Sequence, residues 1–131
     1  MKNLRLGCIS AMVLVIAGSA FAHHSAAMFD RDKTVELVGT IVDLSWSNPH
    51  SWITIDVPNA SGVTERWSVE CNSPNNMARL GWKSTTLNPG DHVTILMHPL
   101  RNGDKGGQFI SVKLADGQVL NNSGGYPAPK P

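Results

Sequence analysis

Two histidines stand side by side at His23-His24, directly after Ala20-Phe21-Ala22. A charged start (Lys2, Arg5), an apolar run from Ile9 to Ala17 and a small-residue Ala-x-Ala ending have the layout of a secretory signal peptide. Cleavage after Ala22 makes His23 the first residue. Its α-amine and imidazole then form a chelating pair, and an α-amine has an ordinary pKa of about 7.7–8.0, low enough to yield its proton to a strong metal. A further imidazole from His24 or His50 completes a nitrogen-rich set of donors. That set favours Cu(II), which tops the divalent affinity order. The metal candidates are therefore His23, His24 and His50, with copper as the cofactor. The plainer alternative is a polar, solvated start with no metal. His92 and His98 lie six residues apart on one strand, about 20 Å, too far to share an ion.

The second constellation is a face. His50, Trp52, Thr54 and Asp56 alternate outward along one strand, and Arg66, Ser68 and Glu70 along the next. Trp46 and the Asn48-Pro49-His50 turn sit at its edge. An outward indole among hydrogen-bonding groups can stack on a sugar or another flat apolar group. The candidate ligand-binding residues are Trp46, His50, Trp52, Arg66 and Glu70, and the ligand is an envelope peptide, saccharide or protein partner. The competing use of Trp52 is to cover a barrel end. Catalysis has weaker support. Asp43, Asp56, Glu65 and Glu70 are scattered along strands, no Ser or Cys comes with an evident base, and no glycine loop precedes a helix to cradle phosphate. The expectation is a binding or accessory module rather than an enzyme. Cys71 reads as a small buried hydrophobe.

The elements that must position these residues follow from periodicity. From Val35 the chain alternates with period two. Val35, Leu37 and Ile41 share one face, Val38, Val42, Leu44 and Trp46 the other, with Gly39 between them. Apolar residues on both faces of a glycine-bearing strand predict a bulge or sharp coil, so that one strand serves two halves of a barrel. A second strand runs from about His50 to Val57, with Ile53, Ile55 and Val57 inward. A third puts Trp67, Val69 and Cys71 inward. Ser73-Pro74 predicts an N-cap and a first helical residue, and Gly81 a stop, for a helix from Pro74 to about Leu80. Strand four turns Val93, Ile95 and Met97 inward, and strand five Ile110, Val112 and Leu114. Between them lies a loop, Arg101–Gly107, rich in glycine and charge. Asp116-Gly117 turns into a short Val119-Leu120 strand. The expected fold is all-β: a small five-stranded OB-like barrel with one short helix between strands 3 and 4.

The expected organisation is a signal peptide over 1–22, an N-terminal arm over 23–34, a barrel domain over 35–120 and a disordered tail over 121–131. Removing the first 22 of 131 residues leaves a chain long enough for one small core. Taking Lys2 and Arg5 from 11 basic residues leaves 9 against 10 acidic ones, a net charge of −1 with histidines neutral. That argues against a nucleic-acid partner. The apolar run is shorter than the roughly 20 residues a membrane helix needs, so the expectation is a periplasmic protein with no membrane span.

Several pieces taken together resemble one family. They are His23-His24-Ser25 with Phe29-Asp30, Leu37-x-Gly39-Thr40, and Trp46-x-Asn48-Pro49-His50-x-Trp52. Trp67-x-x-Glu70, Ser73-Pro74-Asn75, Arg79-Leu80-Gly81-Trp82, Leu87-x-Pro89-Gly90-Asp91 and Asp116-Gly117 follow. The chain resembles the small exported bacterial proteins grouped as domain-of-unknown-function family 6152. The resemblance implies a signal peptide and one compact β domain, and no known activity. His98-Pro99 and the free Cys71 depart from the pattern.

Overall fold

The structure, a computed structural model, describes residues 27–122. Its elements are β1 (Val35–Ser45), β2 (Trp52–Pro58), β3 (Thr64–Glu70), α1 (Pro74–Arg79), β4 (His92–Pro99), β5 (Gly106–Lys113) and β6 (Val119–Asn121). The strands run in the order β3-β2-β1-β4-β5-β6, and a parallel β3–β5 pairing closes the first five into a barrel. β6 adds a short strand to β5. This is the OB-like barrel that the alternation predicts, with α1 between β3 and β4.

β1 does serve two halves. Val35 to Thr40 pair with β4, and Thr40 to Ser45 pair with β2. The changeover is at Thr40, which opposes both His92 and Asp56. It needs Gly39 beside it, because a Cβ on Gly39 would collide with the Asp56 carbonyl. The bulge itself comes later. Ile41 opposes Ile55 but Asp43 opposes Thr54, so Val42 is the extra residue. One extra residue reverses the in–out phase. Leu37 and Ile41 before it and Leu44 after it therefore all reach the same core, whereas alternation alone put Leu44 on the opposite face. Val38 remains outside, 57% exposed.

A second phase change corrects strand five. Leu96 opposes Ser111 and Met97 opposes Phe109, which leaves Ile110 extra. Phe109 and Val112 are buried, while Ile110 is only partly so. Gly106 and Gly107, expected in the preceding loop, open β5 and are buried. A Cβ on Gly107 would strike the His98 carbonyl and the Met97 sulfur, so glycine there allows β4 and β5 to close up.

The core holds Ile53, Ile55, Val69, Ile95, Met97 and Val112, each fully buried. Each such side chain contributes about 1.5–3 kcal/mol relative to exposure. α1 is too short to be stable alone. Ser73 caps it by accepting from the Asn76 N–H at 3.4 Å, and buried Met77 ties it to the barrel. Gly81, at φ +91°, turns the chain out of α1. Trp82 follows, meeting Phe109 edge-on at 5.5 Å and donating from Nε1 to the Asn121 carbonyl at 3.1 Å.

Both flanks of the domain extend past their expected limits. Phe29 is buried and bridges to Leu100, with the Asp30 N–H donating to Pro99 and the Arg101 N–H to Met28. Asn121 lies in β6. Asn122 accepts from the Asn72 N–H and donates to the Phe109 carbonyl. These two residues, assigned by sequence to a disordered tail, belong to the barrel. Among the described residues no helix is long and apolar enough to cross a membrane.

Candidate binding face

The closing pair of strands builds a site that neither strand predicts alone. Trp52 opposes Glu70 across β2–β3, Glu70 opposes Gln108 across β3–β5, and Gln108 opposes His98 across β5–β4. On each strand the neighbouring residue points inward: Ile53, Val69, Phe109 and Met97 are all buried. The four side chains therefore form one outward row across four strands. At its start Trp52 is 39% exposed.

His50 completes this belt. The ladder runs one step past β2: the Cys71 N–H donates to Ser51, and the Ser51 N–H donates to Asn72. That places the His50 ring over the end of β3. Its Nδ1 lies 3.1 Å from the Cys71 carbonyl and 3.4 Å from Glu70 Oε1. A carbonyl oxygen only accepts, so Nδ1 carries the proton in this contact and Nε2 is left free to meet a ligand. His98 is fixed in the same way, with Nδ1 donating to the Lys33 carbonyl at 2.8 Å. Both imidazoles are thus held in one tautomer by main-chain carbonyls. The Glu70 side chain retains only 14% of its exposure. The belt combines a stacking surface, a carboxylate, a carboxamide and two oriented imidazoles.

The residues expected at the site divide. His50, Trp52 and Glu70 come together as read. Arg66 shares the β2–β3 face but lies four residues along β3 from Glu70, about 13 Å. It makes a two-point pair with Asp56 at 2.8 and 2.9 Å. The Arg66 hydrogen bond and charge hold the Asp56 carboxyl below the usual carboxylate range. Trp46 is half-buried against the core. Trp67, assigned to the core, also packs there, with the Lys105 ammonium 5.4 Å from its ring centre. Cys71 is buried, and desolvation pushes its thiol pKa far up, with Glu70 adding to the effect. His23, His24 and the expected leader lie outside the described residues. Among the described residues no group of three or more His, Cys, Asp or Glu is placed to hold a metal ion.

Sequence reading missed Gln108 and His98. His98 carried an outward phase in the alternation, whereas Gln108 shared the phase of Ile110, read as inward, which the bulge at Ile110 reverses. The signal that joins both to Glu70 is the β3–β5 pairing, which has no local trace. In sequence His98 stood out as too far from His92 to share an ion with it.

The profile of the Family of unknown function (DUF6152) matches residues 11–109. The chain belongs to that family. No curated protein and no solved structure matches it.

Proposed function

We propose that this is an exported, periplasmic binding module that holds an envelope saccharide on the belt from Trp52 to His98. The leader layout of residues 1–22 supports export. The observation that carries the binding reading is the single row Trp52, Glu70, Gln108 and His98, flanked by His50. A half-exposed indole offers a flat apolar face to a sugar ring. A carboxylate and a carboxamide beside it take hydroxyl groups at defined angles. The Nε2 atoms of two oriented imidazoles offer further hydrogen bonds to hydroxyl groups. The test is calorimetric titration of the protein, purified with its native start, with chito-oligosaccharides and peptide-free cell-wall glycan strands. Binding of a glycan, weakened at least about tenfold by Trp52→Ala, is the expected result, since aromatic stacking contributes about 0.5–1.5 kcal/mol beyond the area it buries. No glycan binding, or equal binding by Trp52→Ala, overturns the reading. Binding of cell-wall peptide in place of glycan reassigns the face.

A second reading places Cu(II) at the matured N-terminus, with the His23 amine and imidazole joined by His24 or His50. The orientation of His50 favours it. Metal-bound imidazoles commonly donate their other N–H to a carbonyl or carboxylate, and His50 does so to Cys71, with Glu70 beside it. Cu(II) titration of the processed chain, repeated with one residue added before His23, decides the matter. The extended form should lose most of its affinity. Equal affinity in both forms excludes the N-terminal mode.

A further inference from the structure

We propose a second binding site, away from the Trp52 belt, that takes a small carboxylate with an apolar body. It arises from the changeover in β1. At Val38 the strand has left β2 and pairs only with β4, opposite Thr94, while β2 runs on to Pro58 against β3. The gap is an open groove of about 370 Å³, within the roughly 300–1,000 Å³ range of small-molecule sites. Val38, Pro58 and Leu114 line it with apolar surface. Val38 is the second most exposed large hydrophobic residue among those described.

The polar groups give the ligand its charge. Val38, Thr94 and Lys113 form one cross-strand row, so the Lys113 ammonium stands at the lip of the groove. Among the described residues Lys113, like Arg31, Arg79 and Lys83, has no ion-pair partner, whereas Lys33, Arg66, Arg101 and Lys105 each have one, and of the unpaired cations Lys113 is the one that lines the groove. Among the described residues no carboxylate lines this groove. Asp91 and Asp116 border the adjoining depression of about 250 Å³, on the far side of His92. Each already accepts from a main-chain N–H, Asp91 from Asn88 at 2.8 Å and Asp116 from Gln118 at 2.9 Å. An anionic head therefore sits at Lys113, with the Thr94 hydroxyl beside it. The apolar body lies along Val38 toward Pro58, and the two aspartates disfavour the reverse orientation.

The probe is octanoate, with 1-octanol as its uncharged counterpart, titrated into the isotope-labelled protein and followed by amide chemical shifts. Octanoate should move resonances of residues 38–40, 92–94 and 113–115. Octanol should bind the same residues more weakly. Lys113→Gln should weaken octanoate about twofold to fivefold, the range of a solvent-exposed ion pair, and leave octanol unchanged. Val38→Asp should weaken both. Both residues are exposed, so both variants keep the fold. Equal affinity for the two probes, shifts confined to other residues, no shifts at all, or an unchanged Lys113→Gln overturns the proposal. A Trp52→Ala variant should bind octanoate as the parent does, which separates this site from the belt.

Discussion

Gly39 is the smallest side chain in β1 and the one with least freedom to change. Its φ is ordinary, so the constraint is space: the Asp56 carbonyl and the Val57 side chain occupy the volume a Cβ would need. Gly39→Ala must push β1 and β2 apart at the point where β1 changes partners. Over-packing of this kind costs about 1–3 kcal/mol. Thermal or urea unfolding should show that loss with native circular dichroism retained; a neutral substitution would show that β2 yields easily there. Sequence reading singled out Gly39 correctly as the place where β1 coils, although the extra residue proved to be Val42. Cys71 was equally legible: a lone cysteine in an alternating strand is most economically a small core residue, and its burial and raised thiol pKa agree.

Elements were legible where period two ran unbroken. In β2, β3 and β4 the inward sets Ile53 and Ile55, Val69 and Cys71, and Val93, Ile95 and Met97 follow the alternation directly. α1 was legible from Ser73-Pro74 and Gly81, because its ends rest on cap chemistry rather than on length. β5 was misread because a bulge at Ile110 reverses the phase, and a bulge leaves no mark beyond an apolar residue on the unexpected face. The docked arm was missed for another reason. Phe29 ends a short apolar run, Ala26-Ala27-Met28-Phe29, that has no strand or helix period, and its burial depends on finding Leu100. The links between elements carry their own consequence. Lys33 beside Asp30, Arg66 beside Asp56, and Lys105 with Asn59 beside Glu65 hold three carboxyl groups below their ordinary range. A carboxyl with a lower pKa folded than unfolded binds fewer protons when folded, so its stabilising effect is full above the ordinary carboxylate values and disappears as pH falls through the folded ones. The melting temperature should therefore stay level from neutrality to about pH 5 and fall below about pH 4. Asp56→Asn should make the acid slope shallower, and added salt should shrink it. An acid slope unchanged in Asp56→Asn would remove the Arg66 pair from the account.

At the scale of the whole molecule, the barrel is closed by a short seam. Only Ser68, Val69 and Glu70 of β3 meet Gly106, Gly107 and Gln108 of β5, and the two strands are brought together from distant parts of the chain. This is why half of the belt was invisible in sequence. Trp52 and Glu70 are joined by a hairpin, but Gln108 and His98 reach them only across the seam.

On the proposed binding reading, the same seam makes occupancy a clasp. A saccharide lying from Trp52 to His98 has attachments on either side of it, so it has affinity for the zipped form that an unzipped form cannot match. Occupancy must then suppress breathing at that joint. Ligand at a hundredfold excess over its Kd should slow hydrogen exchange of amides in 68–70 and 106–108 by up to about 100-fold, with β6 much less affected. Unaltered exchange at the joint would mean that the ligand grips one side alone.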